Sequence, residues 1–122
     1  MKTKGQLEAE ISDAIVKFER EYMGRGPEET KTHILDDIIL VRLRGVLTPA
    51  EKNLACMKDS ATGRALVKKL RIELLEGGRA TLEVIIHKIT GRDVVSLHTD
   101  VSTKTGERVI LFTLDSPLDP QA

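Results

Sequence analysis

Ser96, His98 and Asp100 stand at alternate positions of a run in which apolar and polar residues also alternate. On a β-strand, alternate side chains share one face, with neighbours about 7 Å apart. Hydroxyl, imidazole and carboxylate would then point the same way. An imidazole near a carboxylate can act as a general base or as half a metal site. A complete metal site wants three or four ligands. The other histidines, His33 and His87, belong to other elements, so neither a metal nor another cofactor is expected. The plainer reading of the trio is a solvated or interface face of a strand.

Two further groups could meet an anion. Tyr22-Met23-Gly24-Arg25-Gly26-Pro27 places Arg25 between two glycines, which could form a backbone nest. It lacks the Gly-Lys-Ser/Thr ending of a phosphate-binding loop and follows a helix instead of preceding one. A helix stop with an exposed arginine is the alternative. Arg42 and Arg44 share one face of a strand, with His33 on its neighbour. They could clamp a phosphate, a carboxylate or an acidic partner, or serve as edge charges that oppose aggregation. His87 reads as a surface or packing histidine. Cys56 follows Leu54 and Ala55 in a helical stretch and is expected as a small buried thiol.

The elements that must position these groups follow from periodicity. Leu7, Ile11, Ala14, Ile15, Phe18 and Tyr22 recur at three- and four-residue steps, which predicts a helix over 4–23. Gly24, Gly26 and Pro27 stop it. Residues 30–35 and 38–44 read as strands joined by Asp36-Asp37, residues suited to a tight turn. Thr48-Pro49-Ala50-Glu51 is a capping-box helix start, and that short helix should end before Asp59.

Ser60 could cap a long helix over 60–90 with Leu66, Leu70, Leu74, Leu82, Ile85 and Ile89 as its apolar stripe. Gly77-Gly78 interrupts it at a cost of roughly 2 kcal/mol relative to alanine. The apolar phase survives, so one helix is favoured over two joined there. Small residues would also let another helix approach closely.

The last element is a hairpin, Val94–Leu114, turning at Thr103-Lys104-Thr105-Gly106. Its expected register sets Val95 opposite Leu114, Leu97 opposite Phe112 and Thr99 opposite Ile110 as the core side. Ser96, His98 and Asp100 then lie beside Thr113, Leu111 and Val109. That mixed face suits a contact surface. The fold expected is α+β, in the order α-β-β-α-α-β-β. Two hairpins make a four-stranded antiparallel sheet with helices on one face. Residues 1–116 form one domain and 117–122 a loose tail.

Composition narrows the classes of function. The chain has 122 residues, with 19 lysines and arginines against 19 aspartates and glutamates. That balance supplies no general field for nucleic acid or an anionic membrane. Phe18, Tyr22 and Phe112 are the only aromatics, which leaves little for base stacking. No apolar run approaches the roughly 20 residues of a membrane span. A single cysteine fits a reducing cytoplasm.

Four segments resemble the MpsC-like family of small bacterial proteins. They are Gly5–Ile11, Tyr22–Pro27, Arg44–Glu51 and Ser96–Ser102, in order along nearly the whole chain. The resemblance implies a soluble accessory or regulatory protein. It would serve a Na+-translocating, membrane-potential-generating system linked to inorganic-carbon uptake, and no catalytic residue carries over. A non-enzymatic cytoplasmic protein is therefore expected. It would be a homo-oligomer, such as a dimer, with a membrane-system protein as partner. A small ligand-binding or catalytic domain using Ser96, His98 and Asp100 is the alternative.

Overall fold

Thr3 starts the first helix. Its hydroxyl accepts from the Gln6 N–H at 3.1 Å, and the Gln6 side chain accepts from the Thr3 N–H at 2.8 Å. This reciprocal cap satisfies two of the free donors at the helix start. The computed structural model describes residues 2–57 and 60–118. The elements are α1 (Lys4–Tyr22), β1 (Glu29–Leu35), β2 (Ile38–Arg44), α2 (Pro49–Ala55), α3 (Ser60–Thr90), β3 (Val94–Val101) and β4 (Arg108–Leu114). The α+β order is the one expected. The cap expected from the Ser60 side chain lies outside the described residues. So do residues 119–122 of the expected tail. Leu118 is buried, and its N–H donates to the Asp36 carbonyl at 3.1 Å.

The strands form one antiparallel sheet in the order β1-β2-β4-β3. Each hairpin supplies a central strand and an edge. Asp36, at φ 57°, carries the left-handed step of the first turn, a conformation aspartate tolerates better than most residues. Helix α1 lies against β1, α3 against β3, and the two helices against each other. Strand alternation sends Ile39, Val41 and Leu43 of β2 and Ile110, Phe112 and Leu114 of β4 toward the helices. There they meet Ile11, Ile15, Val67, Leu82 and Ile86 in one core.

Helix α3 runs unbroken through Gly77-Gly78. The Phe18 and Tyr22 rings of α1 stack with centroids 5.1 Å apart and lie over the two glycines. A Cβ on Gly78 would come 2.6 Å from Phe18 Cζ, and one on Gly77 2.5 Å from Tyr22 Oη. Close approach of α1 is what the poor helix formers allow.

The apolar stripe of α3 differs from the expected one. Leu66 and Leu70 are 50% and 48% exposed, whereas Val67, Arg71, Leu75, Gly78, Leu82 and Ile86 face inward. The expected stripe holds in the second half of the helix, where Leu82 is buried and Ile85 and Ile89 pack against the core; in the first half the buried line sits one residue further along, with Arg71 on it.

Among the described residues two ion pairs lie inside. Arg108 Nη1 of β4 donates to both carboxylate oxygens of Glu19 on α1 at 3.0 Å, and its Nε to Thr99 Oγ1 at 3.3 Å. Arg71 of α3 donates to both oxygens of Glu51 at 2.9 and 2.6 Å, and to the Val46 carbonyl at 2.7 Å. The expected Thr48–Glu51 capping box is present as well. Burial pushes the Arg108 pKa below its ordinary value, against the pull of Glu19, and the nearby Arg71 charge adds to the push. These pairs tie α1 to the sheet and α3 to α2.

Candidate functional site

Among the described residues no element packs over the side of the sheet away from the helices, though Lys68 of α3 reaches its rim at Asp100; the residues of this side follow from the strand registers. One row across it reads His33, Leu40, Leu111, His98. The next reads Lys31, Arg42, Val109, Asp100, and the row on the other side reads Leu35, Ile38, Thr113, Ser96. The central strands thus contribute half-buried Ile38, Leu40, Val109 and Leu111. The edge strands contribute exposed Lys31, His33, His98 and Asp100. An apolar middle inside a polar rim is the anatomy of a protein contact surface.

Ser96, His98 and Asp100 do share this face, beside Thr113, Leu111 and Val109 as expected. They remain spread along the strand. Asp100 Oδ1 lies 3.4 Å from Lys68 Nζ on α3 and accepts the Val101 N–H at 2.8 Å. Among the described residues no hydrogen bond joins His98 to either neighbour. No group of three or more His, Cys, Asp or Glu there could hold a metal ion. Val94, not Val95, pairs with Leu114. A β-bulge between Val94 and Ser96 leaves Val95 59% exposed, and a bulge adds one unpaired residue to its strand.

Arg42 and Arg44 sit at one end of the open face. Arg42 Nε is 2.6 Å from Glu107 Oε2, and Arg44 Nε is 3.5 Å from Glu29 Oε1. His33 stands one row beyond Arg42, on the neighbouring strand. Arg25 is engaged elsewhere: Nη1 donates to the Leu47 carbonyl at 3.0 Å, and Nη2 lies 3.8 Å from Glu28 Oε1. His87 is exposed, with Nδ1 2.9 Å from Asp93 Oδ1.

Beside the arginines, a cleft of about 800 Å³ opens between β2, α2 and the β3–β4 turn. Gly45, at φ 69°, turns the chain at its back, and a Cβ there would strike Glu28. Cys56 is exposed and lines this cleft, contrary to the buried thiol expected. Helix α2 ends at Ala55, so Cys56 is its C-cap and has left the buried helical face.

Sequence reasoning placed Glu51 in the α2 cap but missed the buried ion pairs Glu19–Arg108 and Glu51–Arg71. A signal for Arg108 existed: it alternates with Ile110, Phe112 and Leu114 on the inward face of its strand.

Comparison with known proteins gives a consistent picture. The family described as "Na+-translocating membrane potential-generating system (MpsC)" matches residues 3–116. "Uncharacterized protein YbcI" of Bacillus subtilis (strain 168) is 48% identical over 118 residues, covering 97% of this chain and 93% of that protein. "Uncharacterized protein YrhF" of the same strain is 27% identical over 114 residues, covering 92% and 90% respectively. No solved structure matches the chain significantly.

Proposed function

Since the chain belongs to the MpsC family, we propose that it is a non-enzymatic cytoplasmic accessory or regulatory protein. On this reading it serves a Na+-translocating, membrane-potential-generating system. The observation that carries the reading is the uncovered sheet face. Ile38, Leu40, Val109 and Leu111 form its half-buried centre, and Lys31, His33, Arg42, His98 and Asp100 surround them. Covering such a centre removes apolar area from water, at about 25 cal/mol per Å². The rim supplies charges that select the partner.

Among the described residues no helix is long and apolar enough to cross a membrane. The reading therefore takes the route of a protein partner embedded in, or attached to, the membrane system. Among the described residues the edges of β1 and β3 are unpaired and leave room for a second copy. A homo-oligomer is part of the same reading, and light scattering showing only monomer at high concentration would remove that part.

The test of the docking face is affinity capture from membranes of the native host, with wild type beside a Leu40→Asp, Leu111→Asp variant. Wild type should retain an identified component of a Na+-translocating complex. The folded variant should lose it. Equal retention by both would end this reading of the sheet face.

A further inference from the structure

The cleft beside Arg42 and Arg44 has no part in the docking face's apolar centre, and its charges ask for a separate explanation. Its cationic lining comes from three elements: Arg42 and Arg44 of β2, Lys52 of α2 and Lys104 of the β3–β4 turn. Its carboxylates are Glu28 and Glu107. Both already have cationic neighbours, Glu107 at Arg42 and Glu28 at Arg25. Among the described residues, Lys52 and Lys104 have no ion-pair partner. The chain as a whole balances 19 positive against 19 negative side chains, so the surplus here is local.

The walls are held in place. The Val46 N–H donates to the Gly106 carbonyl at 3.2 Å, which ties the loop after β2 to the far turn. The Gly106 N–H donates to the Ser102 carbonyl at 2.8 Å and closes that turn. Thr48 caps α2 and sets the position of Lys52. The lysines therefore project from ordered backbone around a cleft of about 800 Å³, within the size range of small-molecule sites. Arg44 approaches Glu29 only at 3.5 Å, which leaves its planar fork able to grip an oxyanion through two parallel N–H bonds.

A second groove, of about 460 Å³, lies on the other side of the same turn. It shares Thr103, Lys104 and Glu107 with the first and adds Arg64 and Lys68. That groove also holds Asp100, which pairs with Lys68 at 3.4 Å, so the unpaired cationic charge gathers on the Lys104 side of the first cleft. Phe18, Tyr22 and Phe112 line neither, so a stacked base has no aromatic platform and recognition falls on anionic groups.

We propose that this cleft binds a small molecule carrying two or more oxyanion groups, phosphate or carboxylate, held by Arg44, Lys52 and Lys104. Charged donors from three elements line it, and the ligand supplies the negative charge the cleft lacks. The proposal does not depend on the docking reading.

Isothermal titration with inorganic pyrophosphate in one arm and citrate in the other, both at low ionic strength, tests it. Saturable one-to-one binding of at least one probe is expected, and the tighter arm identifies the oxyanion. A Lys52→Ala, Lys104→Ala variant should bind about tenfold more weakly or worse, having lost two charge-assisted contacts. Its melting temperature without ligand should be unchanged, because both side chains are exposed. A Lys17→Ala, Lys88→Ala variant removes the same charge elsewhere and should bind as wild type does.

Cys56, the single cysteine, lines the cleft and gives a second readout: the bound probe should slow its alkylation. Absence of saturable binding to either probe would overturn the proposal. So would equal weakening by both lysine pairs, or alkylation of Cys56 that ignores a bound probe.

Discussion

Strand β4 faces two environments through one backbone. Toward the helices it sends Arg108, Ile110, Phe112 and Leu114, none more than 2% exposed. Toward the open side it sends Val109, Leu111 and Thr113, all half-buried. The covered face is filled to the point that even its charge is enclosed and answered by Glu19. The open face has a similar apolar character at its centre but keeps its charges at the rim, where water screens them. Enclosure, more than residue type, separates the two faces here. Arg108–Glu19 and Arg42–Glu107 are both Arg–Glu pairs, and only the first is locked in.

The sharpest way to break this comparison is to remove one member of each pair. Arg108→Ala strands the Glu19 carboxylate in the core and should cost about 3–5 kcal/mol in urea unfolding. Arg42→Ala, with both partners partly exposed, should change stability by less than about 1 kcal/mol. Similar costs at the two sites would erase the distinction between the faces.

Neighbouring residues of β4 offer a finer test. Ile110→Ala should cost about 2–5 kcal/mol. Leu111→Ala, already half in water, should cost about 1 kcal/mol and act mainly on partner capture.

The glycines of α3 probe how tightly the helical layer closes. Gly78→Ala gains roughly 1 kcal/mol of helix propensity but must displace the buried Phe18 ring, an overpacking cost of about 1–3 kcal/mol. A net loss is expected. Gly77→Ala meets the hydroxyl end of Tyr22, a residue 41% exposed, which can swing aside, so a gain of up to about 1 kcal/mol is expected. Thermal melts of the two variants should shift in opposite directions.

The smallest effect is one of pH. Burial alone would raise the Glu51 pKa. Hydrogen bonds from Arg71 and from the Thr48 backbone, with the Arg71 charge, outweigh it and hold the carboxyl below its ordinary value. A lowered folded-state pKa stabilises the protein above the unfolded-state value of about 4.3, and that contribution fades as pH falls through the lower folded-state pKa. Glu51→Gln should remove this part of the acid dependence. Unchanged acid melting curves in the variant would show that the carboxylate contributes nothing there.

Most of the fold was legible in the sequence because alternation and helical spacing are strong where apolar residues mark them. Leu97 with Phe112, Thr99 with Ile110 and the mixed outer face all emerged from period alone. Legibility failed where a polar or small residue holds a core position. Arg71 and Gly78 interrupt the buried line of α3, so exposed Leu66 and Leu70 looked like the stripe. The bulge at Val95 needs only one extra residue, which leaves no mark on composition. The cleft was half visible: Arg42 and Arg44 were evident, but Lys52 and Lys104 join them only through the tertiary fold.

The central pairing of β2 with β4 also has a consequence in time. Residues 45–107 separate the two strands in the chain, 63 positions between Arg44 and Arg108. At about 5–20 residues per second, a ribosome needs roughly 3–13 seconds to make that stretch. Throughout it, β2 carries a vacant strand edge, the kind that nascent copies can share wrongly. Arg42 and Arg44 lie on that waiting strand and set like charges along it. Like charges along such an edge oppose its pairing with another unfinished copy. The measurable form is a refolding yield that falls with concentration more steeply for an Arg42→Ala, Arg44→Ala variant than for wild type.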